Sequence, residues 1–179
     1  KRVEAETEKI GDIVCIAGDF VPIDIQNHIT LSEIWFVETF FRWVKELKVD
    51  KVFLVAGNHD FYFQTVGKKT VNKLINEHDL TDKLIYLEND IYEYNGLKII
   101  GSPWVKDLPF WAFNSTNLRK VFSFIEDCDI LITHIPPMVD KVGCSNPYEP
   151  NERNFGSMEL TKVLEDKNIV SDIRVFVGM

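Results

Sequence analysis

Cysteine is scarce, positive charge is in deficit and long apolar runs are missing. The three cysteines, Cys15, Cys128 and Cys144, are odd in number and widely spaced, which excludes a disulfide framework and a zinc knuckle. Cys15 sits inside an apolar run, where a small thiol packs rather than reacts. Lys and Arg number 20 against 28 Asp and Glu, for a net charge of −8 and a pI near 5.0. An extended duplex-binding surface needs clustered basic residues to displace counterions, so none is expected. No apolar run reaches the roughly 18 residues that would cross a bilayer. Lys1 to Lys9 are charged and polar, with no secretory h-region. Together these features predict a cytoplasmic protein with no membrane partner.

What is present is the material of one α/β domain. The chain has 179 residues, 45% hydrophobic and 12% aromatic, enough for a single sizeable core. Asp12 to Ala17 and Lys51 to Ala56 read as buried strands. Between them, apolar residues recur at helical spacing from Leu31 to Leu47 (Ile34, Val37, Phe40, Phe41, Val44), with Thr30 or Ser32 as the expected cap. This strand–helix–strand order implies a parallel, right-handed βαβ unit. A second helix is expected over Lys68 to Glu77, then short strands at Leu84–Leu87, Asp90–Tyr94 and Leu97–Gly101. Asn95-Gly96 is a strong hairpin signal between the last two. A capped helix over Ser115–Glu126, a strand over Asp129–Thr133, a long proline-containing loop over Ile135–Phe155, a helix over Ser157–Glu165 and a strand over Ile173–Val177 complete the pattern.

Three buried strands end in polar residues that are expensive to place there: Gly18-Asp19, Gly57-Asn58-His59-Asp60, and His134. In open α/β sheets ligands bind beyond the carboxyl ends of strands. Carboxylate, amide and imidazole donors converging there suit borderline divalent cations better than a soft thiolate set does. The glycines before Asp19 and Asn58 let the backbone turn sharply or approach a ligand closely. Asn58 is expected to point inward and His59 to lie on the rim, with Asp60 hydrogen-bonded to His59 to fix its tautomer. Taken singly, Asp19 reads as a turn residue, Asn58 to Asp60 as a polar loop, and His134 as a satisfied core histidine. Their order, all at strand ends, is what argues for a site. His28 and His78 lie away from these ends and read as loop or surface residues.

The series resembles the successive motifs of the calcineurin-like metallophosphoesterases. Gly101-Ser102-Pro103-Trp104, Ala112-Phe113-Asn114, Thr133 to Pro137 and Asn154 to Ser157 extend the likeness to the small single-domain branch of metallophosphoesterase-domain-containing proteins. The resemblance implies a four-layer αββα sandwich of two mixed β-sheets flanked by helices, with the metal site at the strand C-terminal ends. It also implies metal-dependent hydrolysis of small phosphoesters, nucleotide-like phosphodiesters above all. Two divalent ions would be held, Mn2+ first, with Fe2+, Zn2+ or Ni2+ as alternatives. Asp19 would bridge them, Asn58 and His134 would hold the second, and Asn58 and His59 would meet substrate. His59, steered by Asp60, would serve as catalytic acid. The family's Asp-x-His motif would fall ahead of Lys1, and its Gly-His-x-His motif would begin at Gly178, with Met179 in the first histidine's place. Residues 1–179 thus read as one domain without its first strand and C-terminal end. A non-catalytic scaffold is the alternative that this reading leaves; a nuclease on polymeric DNA is disfavoured by the acidic charge. Trp104, Phe110, Trp111 and Phe113 crowd a loop beside the site, as lid packing or as faces that stack a nucleobase.

Overall fold

The computed structural model describes residues 11–139, 155–169 and 174–177. Cys144, the middle of the proline-containing loop, Asn154, Gly178 and Met179 lie outside them, as do Lys1 to Lys9. Strand β1 (Ile13–Ala17) pairs in parallel with β2 (Lys51–Val55), which pairs in parallel with β3 (Leu84–Tyr86). The second sheet runs β4 (Asp90–Tyr94), β5 (Leu97–Ser102), β6 (Ile130–Thr133) and β7 (Arg174–Val177). Among the described residues antiparallel pairing falls entirely in this second sheet, at the β4–β5 hairpin. There Asn95 (φ 50°) and Gly96 (φ 80°) supply the two left-handed residues that a tight primed turn needs.

Side-chain alternation along the strands builds the layers. On β2 and just past it, Val52, Leu54 and Ala56 join one core cluster, while Phe53 and Val55 join another. Ile99 of β5 and Ile130 and Ile132 of β6 complete the second cluster, so it is the seam between the sheets. Ile100 and Leu131 point the other way, onto α5 (Leu118–Val121) and α6 (Met158–Asp166). The outer face of the first sheet is covered by α1 (Ile29–Trp35), α2 (Phe41–Glu46), α3 (Phe61–Val66) and α4 (Lys68–Glu77). The order is helix, sheet, sheet, helix, as the family resemblance implies.

Four local details differ from the sequence reading. The first helix starts at Ile29 after His28, and neither Thr30 nor Ser32 caps it. Ser32 is instead buried, its hydroxyl donating to the Ile25 carbonyl. A π-turn, Phe36–Phe40, interrupts the helix, and the Phe41 N–H bonds the Phe36 carbonyl. That i to i+5 bond brings Phe36 and Phe41 one turn apart, with ring centroids 4.5 Å apart. The apolar stripe therefore shifts phase: Phe36, Phe40, Phe41 and Val44 are buried while Ile34 is exposed. Helix α3 escapes a periodicity reading because its aromatic run has middling helix propensity. Burial of Tyr62 and Phe63 against Phe36 holds it in place. The helix expected over Ser115–Glu126 shortens to α5, capped by Asn117 accepting from the Lys120 N–H, and a 3-10 turn at Phe122–Phe124. Helix α6 is capped by Ser157, which accepts from the Leu160 N–H. Among the described residues no helix is long and apolar enough to cross a membrane.

Candidate metal and catalytic site

The carboxyl ends of β1 and β2 from the first sheet and of β6 from the second meet at one point. Two glycines make that approach possible. Gly18 adopts φ 94°, and a Cβ on it would fall within 3 Å of the His134 ring and the Gly57 backbone. A Cβ on Gly57 would equally collide with Asp19 and His134. Asp19 itself sits at φ 54°, a left-handed conformation that Asp tolerates better than most residues. With the turns so compressed, the polar side chains reach each other.

Asp19, Asn58 and His134 form the centre. His134 is 3% exposed, and its Nδ1 lies 2.8 Å from the Ala17 carbonyl oxygen. A carbonyl only accepts, so Nδ1 carries the proton and a neutral ring presents a lone pair at Nε2. That Nε2 faces Asn58 Oδ1 at 2.9 Å and Asp19 Oδ2 at 3.3 Å. Three acceptors so aimed are relieved by a cation between them, either a proton on Nε2 or a metal ion, or by turning the Asn58 amide so that its NH2 faces Nε2. Burial disfavours the charged His134 ring, but the Asp19 carboxylate and the Ala17 carbonyl outweigh it and raise its pKa. Burial likewise pushes Asp19 up, while His134 and the N–H and ring of His59 pull it below the usual carboxylate value. Among the described residues no group of three His, Cys, Asp or Glu side chains is arranged to hold a metal; here the amide of Asn58 is the third donor.

His59 stands at the rim, its side chain 27% exposed, with Nε2 3.8 Å from Asp19 Oδ2. Its backbone N–H donates to Asp19 Oδ1 at 2.9 Å. The expectation that Asp60 fixes the His59 tautomer is corrected by the geometry. His59 Nδ1 pairs with Oε1 of Gln26, a side chain only 7% exposed. Asp60 is fully buried and spends both oxygens on backbone donors: the N–H groups of Asp19 (2.9 Å), Val21 (3.0 Å) and Gly57 (2.6 Å). Burial pushes the Asp60 carboxyl up to about 7, and those three N–H groups hold it back from a larger rise. Its function is to clamp the β1 and β2 turns together, so it supports the site without facing it.

The family model described as calcineurin-like phosphoesterase matches residues 2–171. The chain belongs to that family. Metallophosphoesterase domain-containing protein 1 of Homo sapiens is 28% identical over 163 residues, covering 75% of this chain and 48% of the relative. The Mus musculus protein of the same name matches with the same figures. The chain thus spans about half the length of these curated relatives.

All five residues singled out in the sequence gather here: Asp19, Asn58, His59 and His134 face one another, and Asp60 lies directly behind. Gln26 was not singled out, and Trp111 was named only among the aromatics that crowd a loop beside the site. Gln26 has no sequence signal, being one polar residue in a polar loop. Trp111, 36% exposed, sets its ring 4.4 Å from that of His59. The clustering of aromatics between Trp104 and Phe113 is the signal that points to it.

Proposed function

We propose that this protein is a metal-dependent phosphoester hydrolase acting on small nucleotide-like phosphodiesters. The observation that carries the reading is the convergence of Asp19 Oδ2, Asn58 Oδ1 and the Nε2 lone pair of His134, with His59 beside them. Family membership and the names of the relatives agree with it. The donor set fits a divalent cation, since a lone pair facing two oxygens calls for positive charge. Asn58 and His134 would hold one ion, and Asp19 would be shared with a second; Mn2+ suits this mixture of oxygen and nitrogen donors. Such ions, when bound, supply Lewis acidity toward phosphoryl oxygens and lower the pKa of water.

The chain's own residues supply the rest. His59 projects from the rim with its Nδ1–H donating to Gln26 Oε1; the neutral ring then presents a lone pair at Nε2, and the doubly protonated ring is the form that would pass a proton from Nε2 to the departing oxygen. Asn58, 9% exposed, directs its amide inward. Free thiols at Cys15 and Cys128 suit a reducing compartment, consistent with a cytoplasmic location.

His59→Ala tests the assignment. Hydrolysis of a diester with an alkoxide leaving group, such as a cyclic nucleotide, with Mn2+ should fall by about 10²-fold or more, while Mn2+ affinity by calorimetry stays within about twofold, since the ring holds no ion in this scheme. Full activity in that variant would remove His59 from the mechanism. Absence of both Mn2+ binding and hydrolysis in the parent protein would instead favour an interaction scaffold.

A further inference from the structure

The segment after β5 is bent into an unusual shape and held there. Asp107 (φ 57°), Phe110 (φ 74°) and Phe113 (φ 51°) all take the left-handed region without being glycine, a conformation kept only where surrounding contacts over-determine it. Those contacts are present. Val105 N–H donates to the Phe113 carbonyl, Ser115 N–H to the Val105 carbonyl, and Leu108 N–H to Asn114 Oδ1. Ala112 N–H donates to the carbonyl of Asn58 at 3.1 Å, so the loop is tied to the centre's own backbone. Ala112 and Phe113 are buried, and Phe113 meets Trp104 edge-on.

Packing accounts for those two residues and leaves their neighbours unexplained. Phe110 is 98% exposed, the most exposed large apolar side chain among the described residues, and adopts a strained backbone to be so. Trp111 lies against His59 on one side, reaches Phe61 at 5.9 Å, and keeps 36% of its surface in water. Trp111 beside His59, with the exposed ring of Phe110 next to it in the chain on a hydrogen-bonded turn, is a surface suited to another ring. The net charge of −8 gives no general attraction for an anionic ester, so apolar contact with the departing group is a source of affinity that the charge does not cancel.

We propose that Phe110 and Trp111 form a stacking subsite for an aromatic ring on the leaving group of the phosphoester. It rests on the phosphoesterase reading and narrows it: the preferred ester carries a planar ring, such as a nucleobase or an aryl group, on the His59 side of phosphorus. A stacked ring contributes roughly 5- to 150-fold in affinity.

Phenyl phosphate and methyl phosphate, which share the phosphoryl group and differ in the ring, separate the possibilities by calorimetry on the Mn2+-loaded protein. Phenyl phosphate should bind at least about fivefold tighter. Phe110→Ala, at a position too exposed to threaten folding, should shrink that preference toward unity with methyl phosphate affinity unchanged. Phe110→Tyr should restore it. Equal binding of the two esters by the parent protein, or an equal loss of both in Phe110→Ala, overturns the subsite and leaves the phosphoesterase reading standing. Binding of neither ester overturns both.

Discussion

The two sheets contribute to one site by different means. The first-sheet rim carries Asp19, Asn58 and His59 on turns that are compressed and partly left-handed, and a buried carboxylate behind them holds the turns in place. Among the described residues the second-sheet rim contributes His134, beside strand ends whose hydroxyls each make one ordinary bond, Ser102 of β5 to Asn89 and Thr133 of β6 to the Ile135 carbonyl. The first rim needs a clamp because its loop donors have no strand partners. The second has its backbone satisfied by the ladder, as where His134 N–H donates to the Ser102 carbonyl. The His134–Ala17 hydrogen bond then joins one sheet to the other.

Removing the clamp should have the largest effect. Asp60→Ala orphans three N–H donors at once, so a loss of about 3–5 kcal/mol in urea unfolding is expected. Thr133→Val, which removes a single hydroxyl bond on the opposite rim, should cost about 1 kcal/mol. Similar losses for the two would erase the distinction between the rims. Gly57→Ala comes next: overpacking against Asp19 and His134 should cost about 1–3 kcal/mol. Mn2+ affinity should weaken with it by about tenfold or more as the donors are pushed apart. Unchanged Mn2+ affinity would mean that the close approach of the first rim to the second is not needed for the site.

Gln26→Ala sharpens the first rim further, because it removes the partner of His59 without touching the clamp. We expect kcat to fall roughly tenfold with melting temperature and Mn2+ affinity nearly unchanged, and Gln26→Glu to recover much of it. A matching loss in Asp60→Asn but none in Gln26→Ala would return the orienting role to Asp60. The smallest effect should come from Lys68→Ala, away from both rims. Its ion pair with Asp90 is about a third in solvent on the lysine side, so a change below about 1 kcal/mol is expected.

The fold was largely legible because its strands are short apolar runs ending in glycine or a polar residue, and the Asn95-Gly96 turn declares its hairpin. The phase of the first helix was not. Ile34 and Phe36 are both apolar, and only a π-turn, formed to seat Phe36 against Phe41 and Phe63, sends one outward and the other in. The site divides in the same way. Asp19, Asn58, His59 and His134 stand out because ionisable and amide groups directly after buried strands are costly without a use. Asp60 was visible too, but its work was misread: next to His59 in sequence, it turns its carboxyl toward residues some 40 positions back.

By itself, then, the sequence determined most of the strands, the parallel βαβ unit, the hairpin and the four groups that converge, since these follow from local patterning and from what buried strands tolerate, while the layering followed from the family resemblance. Only the tertiary structure decided which group supports which. The pairing of His59 with Gln26, the clamp of Asp60 on Asp19, Val21 and Gly57, and the seat of Trp111 on His59 join segments 33, 41 and 52 residues apart in the chain. Such contacts are set by how the turns meet in space, and no local pattern encodes them.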